Sequence, residues 1–249
     1  MSLSLIAIVC VILFAAGLVK GLTAMGLPTV GMALLSMVMP PAEAAALLVV
    51  PAVLTNLAQF ATGPRRLATI RRFWALGLAT IAGTLLGALL LGGLESHLAP
   101  ALLGGTLVVY GVFGLSRLAL HTPARLEPWL GPVMGLASGV LTGTTGVTVM
   151  PVAPFLQSLQ LDKEDLVQAL GLAFSVSMLA LAATLSMDFT AGGDLRLAAA
   201  SAAALVPSLL GMEIGRRLRI AISQAAFRRA FFACLILLGA NTLLRAVAF

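Results

Sequence analysis

Long apolar runs alternate along this chain with short polar joints. The apolar blocks cover 3–21, 26–39, 43–61, 73–94, 98–118, 130–142, 146–160, 164–186, 195–215 and 224–244. A membrane-spanning helix needs about 20 predominantly apolar residues, with limits of about 17–25. Blocks 3–21, 43–61, 73–94, 98–118, 164–186, 195–215 and 224–244 meet that length. Blocks 26–39, 130–142 and 146–160 are too short to span upright, and predict half-helices or a re-entrant hairpin. The start, Met1-Ser2-Leu3-Ser4, carries no positive charge before its apolar run, so it reads as the first membrane helix rather than a cleaved leader.

The short blocks are set off by two glycine–threonine interruptions. One is Gly21-Leu22-Thr23-Ala24-Met25-Gly26-Leu27-Pro28, and the other is Gly143-Thr144-Thr145-Gly146-Val147-Thr148-Val149-Met150-Pro151. A break in an apolar helix frees backbone N–H and C=O groups that lipid cannot satisfy. Such breaks persist where protein or a water-filled cavity surrounds them. Matched breaks in the two halves of a chain are the sequence pointer to a transporter's binding site.

The halves do match. A shift of 122 residues without gaps pairs Ala15 with Ala137, Gly17 with Gly139, Gly21 with Gly143, Thr23 with Thr145 and Ser36 with Ser158. Over 15–62 the shift gives 12 identities in 48 positions. Leucine and alanine matches are cheap in so apolar a chain, so the glycine and threonine pairs carry the signal. The predicted organisation is two repeats, 1–125 and 126–249, in one integrated membrane domain. Each holds a broken helical hairpin followed by three full helices.

Loop charges then orient the repeats, because short loops rich in Lys and Arg stay on the cytoplasmic side. Loop 62–72 carries Arg65, Arg66, Arg71 and Arg72 and no acid, whereas its partner 184–194 carries Asp188 and Asp194 and no base. Loop 92–100 has Glu95 and His97, and its partner region has Arg216, Arg217, Arg219, Arg228 and Arg229. Loop 117–129, with Arg117 and Arg125, reads as cytoplasmic. Equivalent loops fall on opposite sides, so the expected architecture is all-α, polytopic and built of inverted repeats.

Composition agrees. Of 249 residues, 60% are hydrophobic and 10% charged, and the mean hydropathy is +1.09. Soluble domains carry about 25% charged residues. The net charge of +6 sits in loops and orients the chain, with no basic stripe interleaved with exposed aromatics for nucleic acid. Cys10 and Cys234 lie in different apolar blocks, and His97 and His121 in separate loops, so no disulfide framework, metal site or cofactor is expected. The chain has no GxxxxGK[ST], no HExxH and no Ser/His/Asp set, so it is not expected to be an enzyme or an ATP-driven pump.

The candidate site residues are Lys20, Gly21, Thr23, Gly26, Asn56, Gly143, Thr144, Thr145 and Gly146. A half-helix begins with unpaired N–H groups and a partial positive charge, which favours an anion. The threonines add hydroxyls and the glycines permit backbone approach. Close packing of helices through small residues would use the same glycines. Lys20 either presents a charge to an anion or snorkels to an interface. Asn56 and Gln59, three apart on one helix face, either line a cavity or bond between helices. Glu213 precedes Arg216 and Arg217 at the spacing of a helix-surface ion pair. Trp74, Trp129 and Tyr110 are placed at interfaces or in packing, and Gln168 near an interface.

Two stretches together resemble the sulfite exporter (TauE/SafE) family of membrane transport proteins. The first is Val19-Lys20-Gly21-Leu22-Thr23-Ala24-Met25-Gly26, followed by Met39-Pro40-Pro41 and Thr55-Asn56. The second is Ser138-Gly139-Val140-Leu141-Thr142-Gly143-Thr144-Thr145-Gly146, followed by Pro151 and Pro154-Phe155-Leu156. The chain departs from the family's glycine-rich pattern at Ala24 and at Val147-Thr148. The resemblance implies a secondary transporter of anions, often sulfur-containing ones such as sulfite or organosulfonates. The expected function is transport of a small anion across the cell (inner) membrane by alternating access, with the solute bound between the two breaks. A coupling ion (proton or sodium) and a homo-oligomer are compatible with that reading. An anion channel and a non-transporting membrane scaffold are the rival classes.

Overall fold

The structure is a computed structural model that describes residues 3–116, 120–188 and 195–248. Arg117 and Asp194, counted above among the loop charges, lie outside those residues. The described residues form helices and no strand. The first half contributes α1 (Leu3–Thr23), α2 (Leu27–Leu35), α3 (Pro41–Ala61), α4 (Arg66–Leu91) and α5 (Ala99–Leu115). The second half contributes α6 (Glu127–Thr145), α7 (Val152–Ser158), α8 (Lys163–Asp188), α9 (Leu195–Ala221) and α10 (Gln224–Ala248). Among the described residues, 6 helices are long and apolar enough to cross a membrane, and Ala99–Leu115 is a shorter apolar one. The chain is thus an all-helical polytopic membrane protein.

The short blocks resolve unevenly. Blocks 26–39 and 146–160 do hold short helices, α2 of 9 residues and α7 of 7. Block 130–142, by contrast, belongs to a continuous helix of 19 residues that starts at Glu127 and Pro128 and runs through Gly143 to Thr145. Likewise Gly21 lies inside α1 rather than at its end. An interior glycine costs a helix about 1 kcal/mol relative to alanine. In a membrane that loss is offset when the glycine lets a second helix backbone approach. The chain breaks are therefore a few residues later than the glycines suggest, at 24–26 and 146–151.

The chain packs as two compact units. The first comprises Met1–Pro51, Pro100–Arg117 and Ala191–Phe249. In it α1 lies against α9. A Cβ on Gly17 or Gly21 would run into the carbonyl oxygens of Ser208 or Met212, and one on Gly211 or Gly215 into those of Phe14 or Leu18. Small residues on both helices thus mesh backbone against backbone. The Ser201 hydroxyl donates to the Leu47 carbonyl (3.1 Å) and accepts from the Val50 amide (3.2 Å), tying α9 to the start of α3. Tyr110 of α5 meets Phe232 of α10 edge-on at 5.1 Å. The Glu213 ion pairs with Arg216 and Arg217 form as their spacing predicts, at 2.8 and 2.7 Å.

The second unit comprises Ala52–Ala99 and Leu118–Thr190. Here α6 lies against α4, and a Cβ on Gly139 or Gly143 would collide with the carbonyls of Thr80 or Thr84. The same pair of equivalent glycines, Gly17/Gly21 and Gly139/Gly143, makes the helix contact in each unit. Gln168 is not an interface residue but fully buried. Its amide donates to the Phe60 carbonyl (3.0 Å) and its oxygen accepts from the Arg65 amide (3.0 Å), clamping the turn between α3 and α4. Arg65–Asp165 (2.9 Å) and Arg72–Glu127 (2.6 Å) add ion pairs at the same end. Each unit draws helices from both halves of the sequence.

Candidate functional site

The two breaks share one local geometry. At the end of α1 the Ala24 amide donates to the Lys20 carbonyl (2.8 Å), and at the end of α6 the Gly146 amide donates to the Thr142 carbonyl (2.8 Å). Ala24 then takes φ 64 and Gly146 φ 70. These are equivalent positions under the 122-residue shift, and both close their helix with a left-handed residue. The preceding threonines match as well. Thr23 Oγ1 donates to the Met25 carbonyl at 2.6 Å, lies 2.9 Å from the Val19 carbonyl and accepts the Met25 amide at 3.3 Å. Thr145 Oγ1 donates to the Leu141 carbonyl at 2.6 Å and accepts the Val147 amide at 3.2 Å. Each threonine thus seals the last helical turn and pins the first residue of the break.

Thr144 Oγ1 also turns back into its helix, to the Val140 carbonyl at 2.9 Å. Gly21 and Gly143 are taken up by helix packing, as described. Gly26 and Gly146 are the glycines that act at the breaks, with φ 101 and 70. Lys20 is buried in the last turn of α1, 3% exposed. Its equivalent, Thr142, closes onto the Ser138 and Val147 carbonyls (2.8 and 3.2 Å), so a lysine stands in one break where a threonine stands in the other. Asn56 is fully buried in the second unit, whereas Lys20, Gly21, Thr23 and Gly26 belong to the first. Gln59, its neighbour on α3, bonds between helices, donating to the Val167 carbonyl at 2.8 Å.

The two short helices differ beyond the breaks. In the second, the Met150–Pro151 peptide is cis, and the Ala153 amide donates to the Val149 carbonyl at 2.9 Å. In the first, Gly26 precedes α2 as its N-cap and has no side chain to cap it, and Pro28 stands in the opening turn. The first amides of a helix have no partner within it, and the helix dipole adds positive charge there. Thr29 sits in this turn, 1% exposed, and its hydroxyl has no hydrogen-bond partner. This unpartnered hydroxyl thus belongs to the same first turn as the uncapped amides. A buried hydroxyl without a partner costs about 1–3 kcal/mol.

Thr29 was not among the sequence candidates. Its signal was available: Leu27-Pro28 is a helix start, and Thr29 is the polar residue of an otherwise apolar half-helix. The 122-residue shift hides it, because its counterpart is Pro151. Among the described residues no cluster of His, Cys, Asp and Glu could hold a metal ion.

The architecture defines a helical membrane protein with a paired break in equivalent helices. The profile of the family "Sulfite exporter TauE/SafE" matches residues 9–242, and the chain belongs to that family. It is accordingly a membrane transporter at the level the family defines. No curated protein and no solved structure matches the chain.

Proposed function

We propose that the protein is a secondary transporter of small anions, of the sulfite or organosulfonate class, working by alternating access across the cell membrane. The observation that carries this reading is the N-terminus of α2. It is an uncapped half-helix end with a buried hydroxyl, Thr29, left without a partner. An oxyanion supplies acceptors for the Leu27 and Thr29 amides and for that hydroxyl together. Lys20, buried in the same unit, adds positive charge, and Thr23 and Gly26 shape the turn into α2. Gly21 holds α1 in place. In the second unit Thr144, Thr145, Gly146 and Asn56 take part in the transport path, with Gly143 holding α6. The inverted orientation of the repeats, and a proton or sodium coupling ion, complete the proposal.

The test is counterflow in proteoliposomes. Saturable exchange of sulfite or an organosulfonate, lost in Thr29→Val and reduced in Thr145→Val, is the expected result. Conductance without saturation assigns a channel instead. Unchanged exchange kinetics in a folded Thr29→Val protein removes α2 from the site.

A further inference from the structure

In the second unit a groove of about 160 Å³ opens between α4 and α8. Its α4 wall is Ile70, Trp74, Gly77 and Ile81, spaced along one helix face, and Ala173 and Val176 of α8 stand opposite. Every residue lining it is apolar. The groove is outside both breaks and plays no part in the transport proposal.

Gly77 keeps the groove open. A Cβ there would meet only the Val176 methyls, at 3.9 and 4.0 Å. On the same helix, Gly83 and Gly87 are needed, since a Cβ on either would collide with α6 backbone. Glycine in a helix interior costs about 1 kcal/mol against alanine. At Gly77 no backbone approach offsets that, and what the glycine leaves is volume.

The charge beside the groove has a definite pattern. Arg65 and Arg72 are held by Asp165 and Glu127. Arg66 and Arg71 are exposed and make no ion pair among the described residues. Arg66 lies one helical turn before Ile70 and Arg71 directly follows it, so both stand in the first turns of α4, at the Ile70 end of the groove and ahead of the kink at Phe73. Trp74 is 61% exposed, in the position of a ring at headgroup level.

We propose that this groove is a binding site for an anionic phospholipid. One acyl chain fills the channel over Gly77, and the phosphate rests on Arg66 and Arg71. Basic residues at the mouth of an apolar cleft between membrane helices select anionic headgroups in this way.

The experiment uses the full chain in detergent, with melting followed as lipid is added. Phosphatidylglycerol should raise the melting temperature more than phosphatidylcholine of the same chain length, and glycerol phosphate should not raise it. Arg66→Gln combined with Arg71→Gln should weaken the phosphatidylglycerol response roughly thirtyfold, from about 1 kcal/mol per arginine. Gly77→Leu should melt normally without lipid and lose the response. Equal stabilisation by the two lipids overturns the proposal, as does a full response in the arginine variant, whose exposed positions keep folding out of the question. A concentration-dependent dimer that Gly77→Leu abolishes also overturns it, giving the groove to a second copy.

Discussion

Replacing Thr29 by valine separates a hydroxyl kept for a ligand from one kept for the fold. The two side chains have nearly the same shape, so the change removes one polar atom from a site that is 1% exposed. That atom has no partner within the protein, and its burial costs about 1–3 kcal/mol. The variant is therefore expected to be more stable than the parent by about that amount in the absence of solute. At this chain length, 1 kcal/mol corresponds to about 2–4 °C in melting temperature. Solute affinity should fall, because a hydrogen bond to a charged group contributes about 1.5–3 kcal/mol, or roughly 10–150-fold in Kd. Melting of the purified chain by tryptophan fluorescence, with and without sulfite, measures both effects. Thr29→Ser keeps the hydroxyl and should keep the affinity. A Thr29→Val protein that melts lower and binds solute unchanged would show that the hydroxyl serves packing, and the reasoning from its burial would be wrong.

Other expectations follow from the helix ends and contacts. Ala24→Gly should stabilise the protein by about 1 kcal/mol in thermal melts, because alanine at φ 64 carries a left-handed penalty of about 1–2 kcal/mol, while Gly146→Ala should destabilise it by a similar amount. Gly143→Ala forces a methyl into the Thr84 carbonyl and should cost about 1–3 kcal/mol, read as lowered melting with solute affinity retained in the folded fraction. Gln168→Leu leaves the Arg65 amide and Phe60 carbonyl without their partner and should cost about 1–3 kcal/mol, with proteolytic nicking appearing near Gly63. Single cysteines at Arg66 and Ser186 should label from opposite sides of the membrane. Labelling from one side would end the inverted arrangement.

The sequence carried the repeat and its punctuation further than it carried their use. The pairing of Thr23 with Thr145 reappears at each helix end, where either hydroxyl accepts the amide two residues on and lies against the carbonyl four back, Thr23 also donating to the Met25 carbonyl. The departure at Ala24 also has its structural meaning, since that alanine occupies the left-handed position that glycine fills at Gly146. The sequence left Gly21 and Gly143 open between opening a break and packing helices. Glycine serves either use, and the facing backbones of α9 and α4 decide for the contact. For the same reason α6 extends beyond its apolar block. Gln168 looked peripheral because its place near a helix start says nothing of the turn it clamps. Thr29 was missed because the repeat comparison weighs residues by their match, and its value lies in having none.

The contact of α1 with α9 has a consequence for synthesis. Gly17 and its partner Ser208 are separated by 191 positions in the chain. At ribosomal rates of about 5–20 residues per second, α1 is in the bilayer for roughly 10–40 s before α9 emerges to cover its glycine face. The contact between α4 and α6 closes far sooner. Biogenesis of this protein is thus asymmetric in time. One unit can assemble while the ribosome is still at work, and the other waits with its first helix exposed to quality control until α9 has been made.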